Sequence, residues 1–449
     1  MPQQRPSRIR TGTRDRRAAG MGKGMIAGAA GAAALLAWAP AAMARVFDTV
    51  EVRGAEFVPE RDIQLTCGAA AGIDYYDIEL QAIQECLMST GVFESVAVYG
   101  ENGTMVIEVE EVELRPGRVE GSIMWDSEDY LTLGFSFERY NLFPNTFGSL
   151  YVDVARQAYR YGGSLYRADA FGPTLDLGLD IVGFGTDYDD LAYDQDSLRG
   201  APFIAWTPND TTRFEFALGY RDHRMDDIDA GASPLLFQEE GAVAGAYVRL
   251  GFDYSIGGDA VEGAPVPPGY AIGIDQYFWN LGTSDTLSDT RIEADTRLAL
   301  SPTLRLLLGL TGGVVQGLDG NATRAMDRFY PGADTFRGFA PRGIGPRDNG
   351  DALGANSYLV GSIELQRDFA EVLNRTVRGG LFFDVGSAWG LDDTLNGRID
   401  DSAHLRSSVG ISISFDIAGT PASFYIAQPI QDQPGDDTQI FGLSVAATF

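Results

Sequence analysis

Cysteine, histidine and lysine are nearly missing from this chain of 449 residues, which holds two cysteines, two histidines and a single lysine, Lys23. Two cysteines are too few for a disulfide scaffold or for a four-ligand structural zinc site. The histidines, His223 and His404, leave little for metal binding or acid–base chemistry. A surplus of positive charge is absent as well. Lysine and arginine total 34 against 63 acids, a net charge of -29, and such a chain is repelled by nucleic acid, itself a polyanion. Disorder is excluded by 45% hydrophobic and 11% aromatic content. What is abundant is glycine, at 55 residues, in a chain long enough for two to four domains at roughly 100 to 200 residues each.

The first 44 residues read as a targeting segment. Arg5, Arg8, Arg10, Arg14, Arg16, Arg17 and Lys23 lead into the apolar run from Met25 to Pro40, which ends in Ala42-Met43-Ala44. A basic region, an apolar region and a small-residue exit predict a secretory signal over 1–44, cleaved after Ala44. Beyond it no run approaches the roughly 18 apolar residues of a membrane-spanning helix.

Strict alternation recurs instead. Leu131, Leu133, Phe135 and Phe137 alternate with Thr132, Gly134, Ser136 and Glu138, and Phe214, Phe216, Leu218 and Tyr220 with Arg213, Glu215, Ala217, Gly219 and Arg221. Val409, Ile411, Ile413 and Phe415 repeat the pattern, as does the stretch from Thr438 to Phe449. Period two means strands with unlike faces. A soluble sandwich hides the apolar face, whereas an outer-membrane barrel turns it to lipid and keeps small and charged residues in the lumen. Many runs reach ten residues, which matches the roughly 9 to 11 needed to cross a bilayer on a tilt and exceeds the usual soluble strand of about 5 to 6.

Sixteen strands are expected over 115–449, near 118–125, 129–139, 147–158, 161–170, 174–183, 198–207, 211–223, 243–256, 270–281, 289–300, 303–316, 357–367, 376–387, 405–416, 420–429 and 438–449. Bacterial single-chain barrels favour such an even number. Connections after odd strands are then extracellular, and they include the long segments 184–197, 224–242, 317–356 and 388–404. Most others are short, such as 208–210 and 301–302, with 257–269 the exception. The acids crowd these outer loops: Asp187, Asp189, Asp190, Asp194 and Asp196 in one, Asp226, Asp227, Asp229, Glu239 and Glu240 in another, and Asp392, Asp393, Asp400 and Asp401 in a third. A divalent-cation surface against lipopolysaccharide phosphates is one reading and solvated loop charge the other; no calcium-loop spacing is present, and solvated charge is the weightier.

Residues 45–114 are of another kind. A strand over Val46 to Val52, a short helix from Pro59 to Thr66, an amphipathic helix over Tyr75 to Ser89 with Ile78, Ala82, Glu85 and Met88 at helical spacing, and two strands, Val92 to Tyr99 and Thr104 to Val112, are expected in that order. Asn102-Gly103 marks the hairpin. This order, with the glycine after the first strand and Gly91-Val92-Phe93-Glu94-Ser95-Val96, closely resembles a POTRA domain. Cys67 and Cys86 fall in its two helical regions, where an oxidising periplasm favours a disulfide over two buried thiols.

The longest outer loop carries the most specific segment, Phe329-Tyr330-Pro331-Gly332-Ala333-Asp334-Thr335-Phe336-Arg337-Gly338-Phe339. A loop ending in Arg-Gly-Phe between the eleventh and twelfth strands, behind a POTRA domain, resembles the BamA/TamA superfamily of outer-membrane assembly and translocation proteins. Arg342-Gly343-Ile344-Gly345-Pro346-Arg347, Phe382-Phe383-Asp384-Val385-Gly386-Ser387-Ala388-Trp389 and Phe424-Tyr425-Ile426-Ala427-Gln428-Pro429 carry the same resemblance. It implies that the loop folds back into the lumen and that Arg337, with Gly338 and Phe339 beside it, pairs with acidic wall residues; Glu364 and Asp384 face the lumen by the strand phase and occupy the matching positions. It also implies a C-terminal recognition signal in Phe441, Leu443, Val445 and Phe449, and a weak seam between first and last strands that admits client strands by β-augmentation.

No His-Glu-x-x-His, Gly-x-Ser-x-Gly or phosphate loop occurs, and His223, in Arg221-Asp222-His223-Arg224 at a strand end, reads as a surface residue. The expectation is a non-enzymatic barrel of sixteen antiparallel strands with one POTRA domain, no cofactor and no metal, seated in lipid and lipopolysaccharide. Its partners would be unfolded outer-membrane or secreted polypeptides and periplasmic accessory proteins. The expected function is outer-membrane protein assembly and insertion through the POTRA domain and a laterally opening seam, with a two-partner secretion pore or a passive porin as the alternatives; the resembling assembly factors carry several POTRA domains and the secretion transporters two, against one here.

Overall fold

The structure, a computed structural model, describes residues 45–55, 58–90, 92–111, 117–126, 129–209, 211–256, 269–333, 335–372, 375–417 and 420–448. The expected signal segment, Phe449 and nearly all of the 257–269 connection lie outside the described residues. The chain divides into two compact units between Pro116 and Gly117.

In the front unit, Thr49–Arg53 pairs in parallel with Thr104–Glu111, which pairs antiparallel with Phe93–Glu101. The expected first strand breaks at Phe47, whose ring turns into the core, and Arg45–Val46 pairs instead with Asp74–Tyr75. Helices Glu60–Thr66 and Asp77–Ser89 supply the rest of that core. The face of the longer helix differs from expectation. Leu80, Ile83 and Leu87 are buried, while Ile78 and Met88 are exposed. Both stripes have helical spacing, but the one through Leu80 carries no charge and meets Phe93, Val96 and Ile107 of the sheet, whereas the other includes Glu85. Cys67 and Cys86 are joined, with Cα atoms 5.9 Å apart.

From Gly117 onward the expected sixteen strands close into an antiparallel barrel. They are β1 (Gly117–Asp126), β2 (Tyr130–Phe143), β3 (Thr146–Val154), β4 (Ala158–Arg167), β5 (Leu175–Thr186), β6 (Asp194–Asn209), β7 (Thr212–Asp226), β8 (Gly241–Ile256), β9 (Gly269–Leu281), β10 (Leu287–Ala299), β11 (Leu304–Gly317), β12 (Ser357–Val372), β13 (Arg375–Trp389), β14 (Arg406–Ile417), β15 (Thr420–Gln431) and β16 (Phe441–Thr448). Leu131, Leu133 and Phe135, Phe214, Phe216 and Leu218, and Val409, Ile411 and Ile413 are exposed on the outer wall. The inner wall is charged but paired: Arg249 bridges Glu215 and Asp275 at 2.6 and 2.7 Å, and Arg305 meets Asp368 at 2.7 Å. Apolar outside and ion-paired inside is the pattern of a barrel in lipid.

Several strand ends fall elsewhere than expected. β6 begins at Asp194, so Asp194 and Asp196 belong to a strand rather than a loop, as does Asp226 of β7. The expected last strand from Thr438 is interrupted: Thr438–Gln439 pairs with Gly338–Phe339 of the long loop, and β16 starts at Phe441. The cause is competition for backbone partners, since Thr438 and Gln439 meet the loop before the wall.

The long connections converge over one end of the barrel. Tyr188, Leu191 and Tyr193 from the β5–β6 connection, Leu235 and Leu236 from β7–β8, Met326 and Leu353 from β11–β12 and Ile399 from β13–β14 form one buried cluster. These connections leave opposite sides of the wall. Each fully buried leucine contributes about 1.5 to 3 kcal/mol. Polar ties reinforce the dome: Arg328 pairs with Glu239, whose other oxygen accepts from the Ala325 N–H at 2.7 Å, and the Tyr193 and Tyr330 hydroxyls meet at 2.9 Å. Burial holds the Glu239 carboxyl above its ordinary range against the pull of Arg328. Of the acids expected in these loops Glu239 is buried, whereas Asp190 and Asp392 stay exposed, as expected of solvated charge, and are bonded as well. Asp392 accepts from the Thr323 N–H and hydroxyl, each at 2.7 Å, and Asp190 pairs with Arg342 at 2.9 Å. Among the described residues no group of three or more His, Cys, Asp or Glu is arranged to hold a metal ion.

Two outcomes follow. A maleimide label should reach neither cysteine of the unfolded, unreduced chain, and the Cys67→Ala/Cys86→Ala variant should lose about 3 kcal/mol in the front unit by pulse proteolysis; labelling before reduction contradicts the bond. In planar bilayers the wild-type protein should show no large steady conductance, while Leu236→Asp, which puts a charge into the dome core, should raise it. A porin-sized wild-type conductance would show that the dome does not close the mouth.

Candidate functional site

Alternation along β12 turns Ser362, Glu364 and Gln366 to the lumen, and along β13 it does the same for Phe382 and Asp384. Register then sets Ser362 opposite Asp384, and Asp384 opposite Ser408 of β14, so three polar side chains form a row across the wall. Asp384 and Ser408 are fully buried. An unpaired carboxylate there would be strongly disfavoured.

The β11–β12 connection turns inward and places Arg337 over this row. Its Nε donates to Asp384 Oδ2 at 2.8 Å and its Nη2 to Asp384 Oδ1 at 2.8 Å and Ser362 Oγ at 2.9 Å, while Nη1 donates to Glu364. The far oxygen of Glu364 accepts from Ser412 Oγ at 2.5 Å and Gln366 Nε2 at 2.9 Å. Beneath the guanidinium lies the Phe382 ring, 3.5 Å from Cζ to centroid. The planar fork thus meets two carboxylates and an aromatic face together, a fit that lysine cannot reproduce.

The neighbours of Arg337 fix the loop. Phe336 and Phe339 are fully buried with ring centroids 4.7 Å apart. Gly338 holds φ +98, and a Cβ there would stand 2.9 Å from the Ser408 Cβ, so a side chain would lift the loop off β14. Ser408 Oγ donates to the Arg337 carbonyl. The structure therefore brings together Arg337, Gly338, Phe339, Glu364 and Asp384. Sequence reasoning missed Ser362, Ser408, Ser412 and Phe382, although all sit on the lumen phase of their strands, which was the available signal. It also missed the pairing of Gly338–Phe339 with Thr438–Gln439, for which nothing local in the sequence speaks.

The last strand closes the wall sparsely. β12 and β13 are matched from Ser357 with Trp389 down to Val372 with Arg375. In contrast, among the described residues β16 meets β15 from Phe441 to Val445, and β1 through Val445, Ala446, Ala447 and Thr448 against Trp125, Met124, Ile123 and Ser122. Of the C-terminal residues singled out in the sequence, Phe441 is exposed, Leu443 is half-buried, Val445 pairs by its backbone with Trp125, and Phe449 lies outside the described residues.

The histidines stand apart from this site. His223 is buried and faces the lumen, not the surface: the alternation that sends Phe216 and Leu218 outward sends Arg221 and His223 inward, where Nδ1 is 3.9 Å from Asp327 Oδ1 and the ring meets Phe184 edge-on. His404 is half-buried and its Nε2 is 2.9 Å from Asp400 Oδ2. The Ser402 backbone N–H and the His404 ring pull the Asp400 carboxyl down to about 2.

Residues 144–449 match the Omp85 superfamily domain. The chain belongs to the Omp85 superfamily. It is 23% identical over 377 residues to the outer membrane protein assembly factor BamA of Neorickettsia risticii, a match covering 81% of this chain and 50% of the relative. The chain thus spans about half the length of that curated relative. Among solved structures, BamA from Haemophilus ducreyi lacking POTRA domains 1–3 superposes with a TM-score of 0.73 at 16% identity, covering 90% of this chain and 85% of that one. CdiB from Acinetobacter baumannii gives 0.55 at 13% identity over 91% and 74%. The fold is that of an Omp85 barrel, and the outer membrane is its location.

Arg337→Ala leaves two carboxylates in the Omp85 barrel wall without their cation, and breaking a buried pair from one side costs about 3 to 5 kcal/mol. The temperature at which the folded barrel loses its fast gel mobility should fall for Arg337→Ala, fall less for Arg337→Lys, and recover in part for Arg337→Ala/Asp384→Asn. An unchanged transition in Arg337→Ala contradicts the pairing as a structural support.

Proposed function

We propose that this protein is an outer-membrane protein assembly factor that works without catalysis, through a POTRA domain over 45–114 and the β16–β1 seam of the barrel over 115–449. The observation that carries the reading is the seam. Below Ser122, Gly117–Glu120 of β1 pair with β2 on one side, and on the other no strand is paired with them among the described residues. A free strand edge is a template for another chain. A bilayer provides no water to satisfy it, so an incoming strand is favoured there over lipid. In the front unit the nine-residue strand Phe93–Glu101 is likewise an edge of its sheet, suited to hold an extended polypeptide.

On this reading the partners are unfolded outer-membrane polypeptides, together with the bilayer, its lipopolysaccharide leaflet and periplasmic accessory proteins, and the driving force is client folding. The Arg337 pairing, with the loop seated in the lumen, keeps the barrel closed between clients. The C-terminal residues Phe441, Leu443, Val445 and Phe449 serve in the chain's own insertion.

Comparing outer-membrane and secreted proteomes with and without the protein tests this. Depletion should lower many folded barrels together, and deleting 45–114 should do the same. Loss of one large exported polypeptide with barrels unchanged would make it a secretion pore, and no change in either would contradict both.

A further inference from the structure

Among the described residues the seam is the sparsest join in the wall, and the loop that plugs the lumen also crosses its outer end. On the β16 side the loop backbone is bonded to the residues leading into that strand. The Ala340 N–H donates to the Asp437 carbonyl at 2.9 Å and the Asp437 N–H donates to the Gly343 carbonyl at 2.9 Å, next to the ladder of Gly338 and Phe339 with Gln439 and Thr438. Arg347 Nη2 adds an ion pair to Asp437 Oδ2 at 2.8 Å. The approach is close enough that a Cβ on Gly343 would stand 2.5 Å from the Asp437 carbonyl oxygen.

On the other side the same loop reaches toward β1. Arg342 forks onto Asp190, with Nε to Oδ2 and Nη2 to Oδ1 both at 2.9 Å, and its guanidinium lies 4.0 Å above the Tyr188 ring. The Tyr188 hydroxyl donates to Asp129 Oδ1 at 2.8 Å, and the Asp129 N–H donates to Asp126 Oδ1 at 2.7 Å, so the relay ends on the last residue of β1. Arg160 Nη1 holds Asp129 Oδ2 at 2.6 Å. Arg342 adopts φ +56, a conformation that a non-glycine residue keeps where its surroundings impose it.

We propose that residues 340–347 are a clasp over the outer end of the seam, tying the β1–β2 turn through Tyr188 and Arg342 to the lead-in of β16 through Asp437. Opening the seam requires release of one side. The β16 side is held by backbone bonds in a ladder. The β1 side depends on a stack and on an ion pair whose Asp190 side chain is 48% exposed, and such pairs are weak and screened by salt. Release therefore occurs at Arg342, and the loop travels with β16. The clasp rests on the seam being the weak join, not on which polypeptide uses it.

Hydrogen–deuterium exchange of the full chain in lipid nanodiscs tests it, read at peptides covering 122–126 and 441–448 against β12 and β13. Arg342→Ala should raise seam exchange at least tenfold with β12 and β13 unchanged, and Gly343→Ala should do so from the other side. Tyr188→Phe, which keeps the ring and loses the hydroxyl's bonds to Asp129 and Arg160, should give a smaller rise in the same peptides, and high salt should mimic Arg342→Ala. Seam exchange equal to wild type in both Arg342→Ala and Gly343→Ala would overturn the clasp, as would a rise shared equally by β12 and β13. Wild-type seam peptides as slow as β12 and β13 would overturn the weak seam itself, a separate failure.

Discussion

A backbone in lipid must satisfy its N–H and C=O groups within the protein, and every feature of this barrel is arranged around how completely that is done. Among the described residues, fourteen of the sixteen joins are the longer ladders. The two made by β16 are not. With four positions against β1, the last strand contributes few hydrogen bonds at about 1 kcal/mol net each. The loop that seats Arg337 on β12, β13 and β14 reaches that shortfall and touches both sides of the seam.

The charge pattern serves the same end. Apart from Lys23, within the expected signal, every basic residue is arginine. Three forks hold the parts that would otherwise swing free: Arg337 on Asp384 and Glu364, Arg342 on Asp190, and Arg406 on Asp436 with both side chains almost wholly buried. A bidentate guanidinium fixes direction as well as distance, which a point charge does not. The surplus acids are thus part structure and part surface, and the large negative charge of the chain conceals a set of well-placed pairs.

Much of this was legible in the sequence, for a physical reason. Period-two patterning is dictated by lipid on one face and lumen on the other, so the sixteen strands and the inward phase of Glu364 and Asp384 could be read without coordinates. The Arg-Gly-Phe loop added Arg337. What could not be read was set by long-range pairing. Thr438 and Gln439 continue the alternation of the last strand, yet they bond to a loop a hundred residues away. Ile78 and Leu80 lie on equally good helical stripes, and only the sheet beneath decides between them. His223 was readable and misread, because its position at a strand end was given more weight than its phase.

On the proposed function, the seam must part for clients to pass. The most direct measurement is a reversible lock: Ile123→Cys/Ala447→Cys, opposite each other in the β1–β16 ladder, expressed as the only copy in cells, with folded outer-membrane barrels quantified before and after mild reduction. Barrel content should fall when the lock forms and return when it is reduced, while either single cysteine behaves as wild type. Normal barrel content with the lock fully formed would show that the seam need not part.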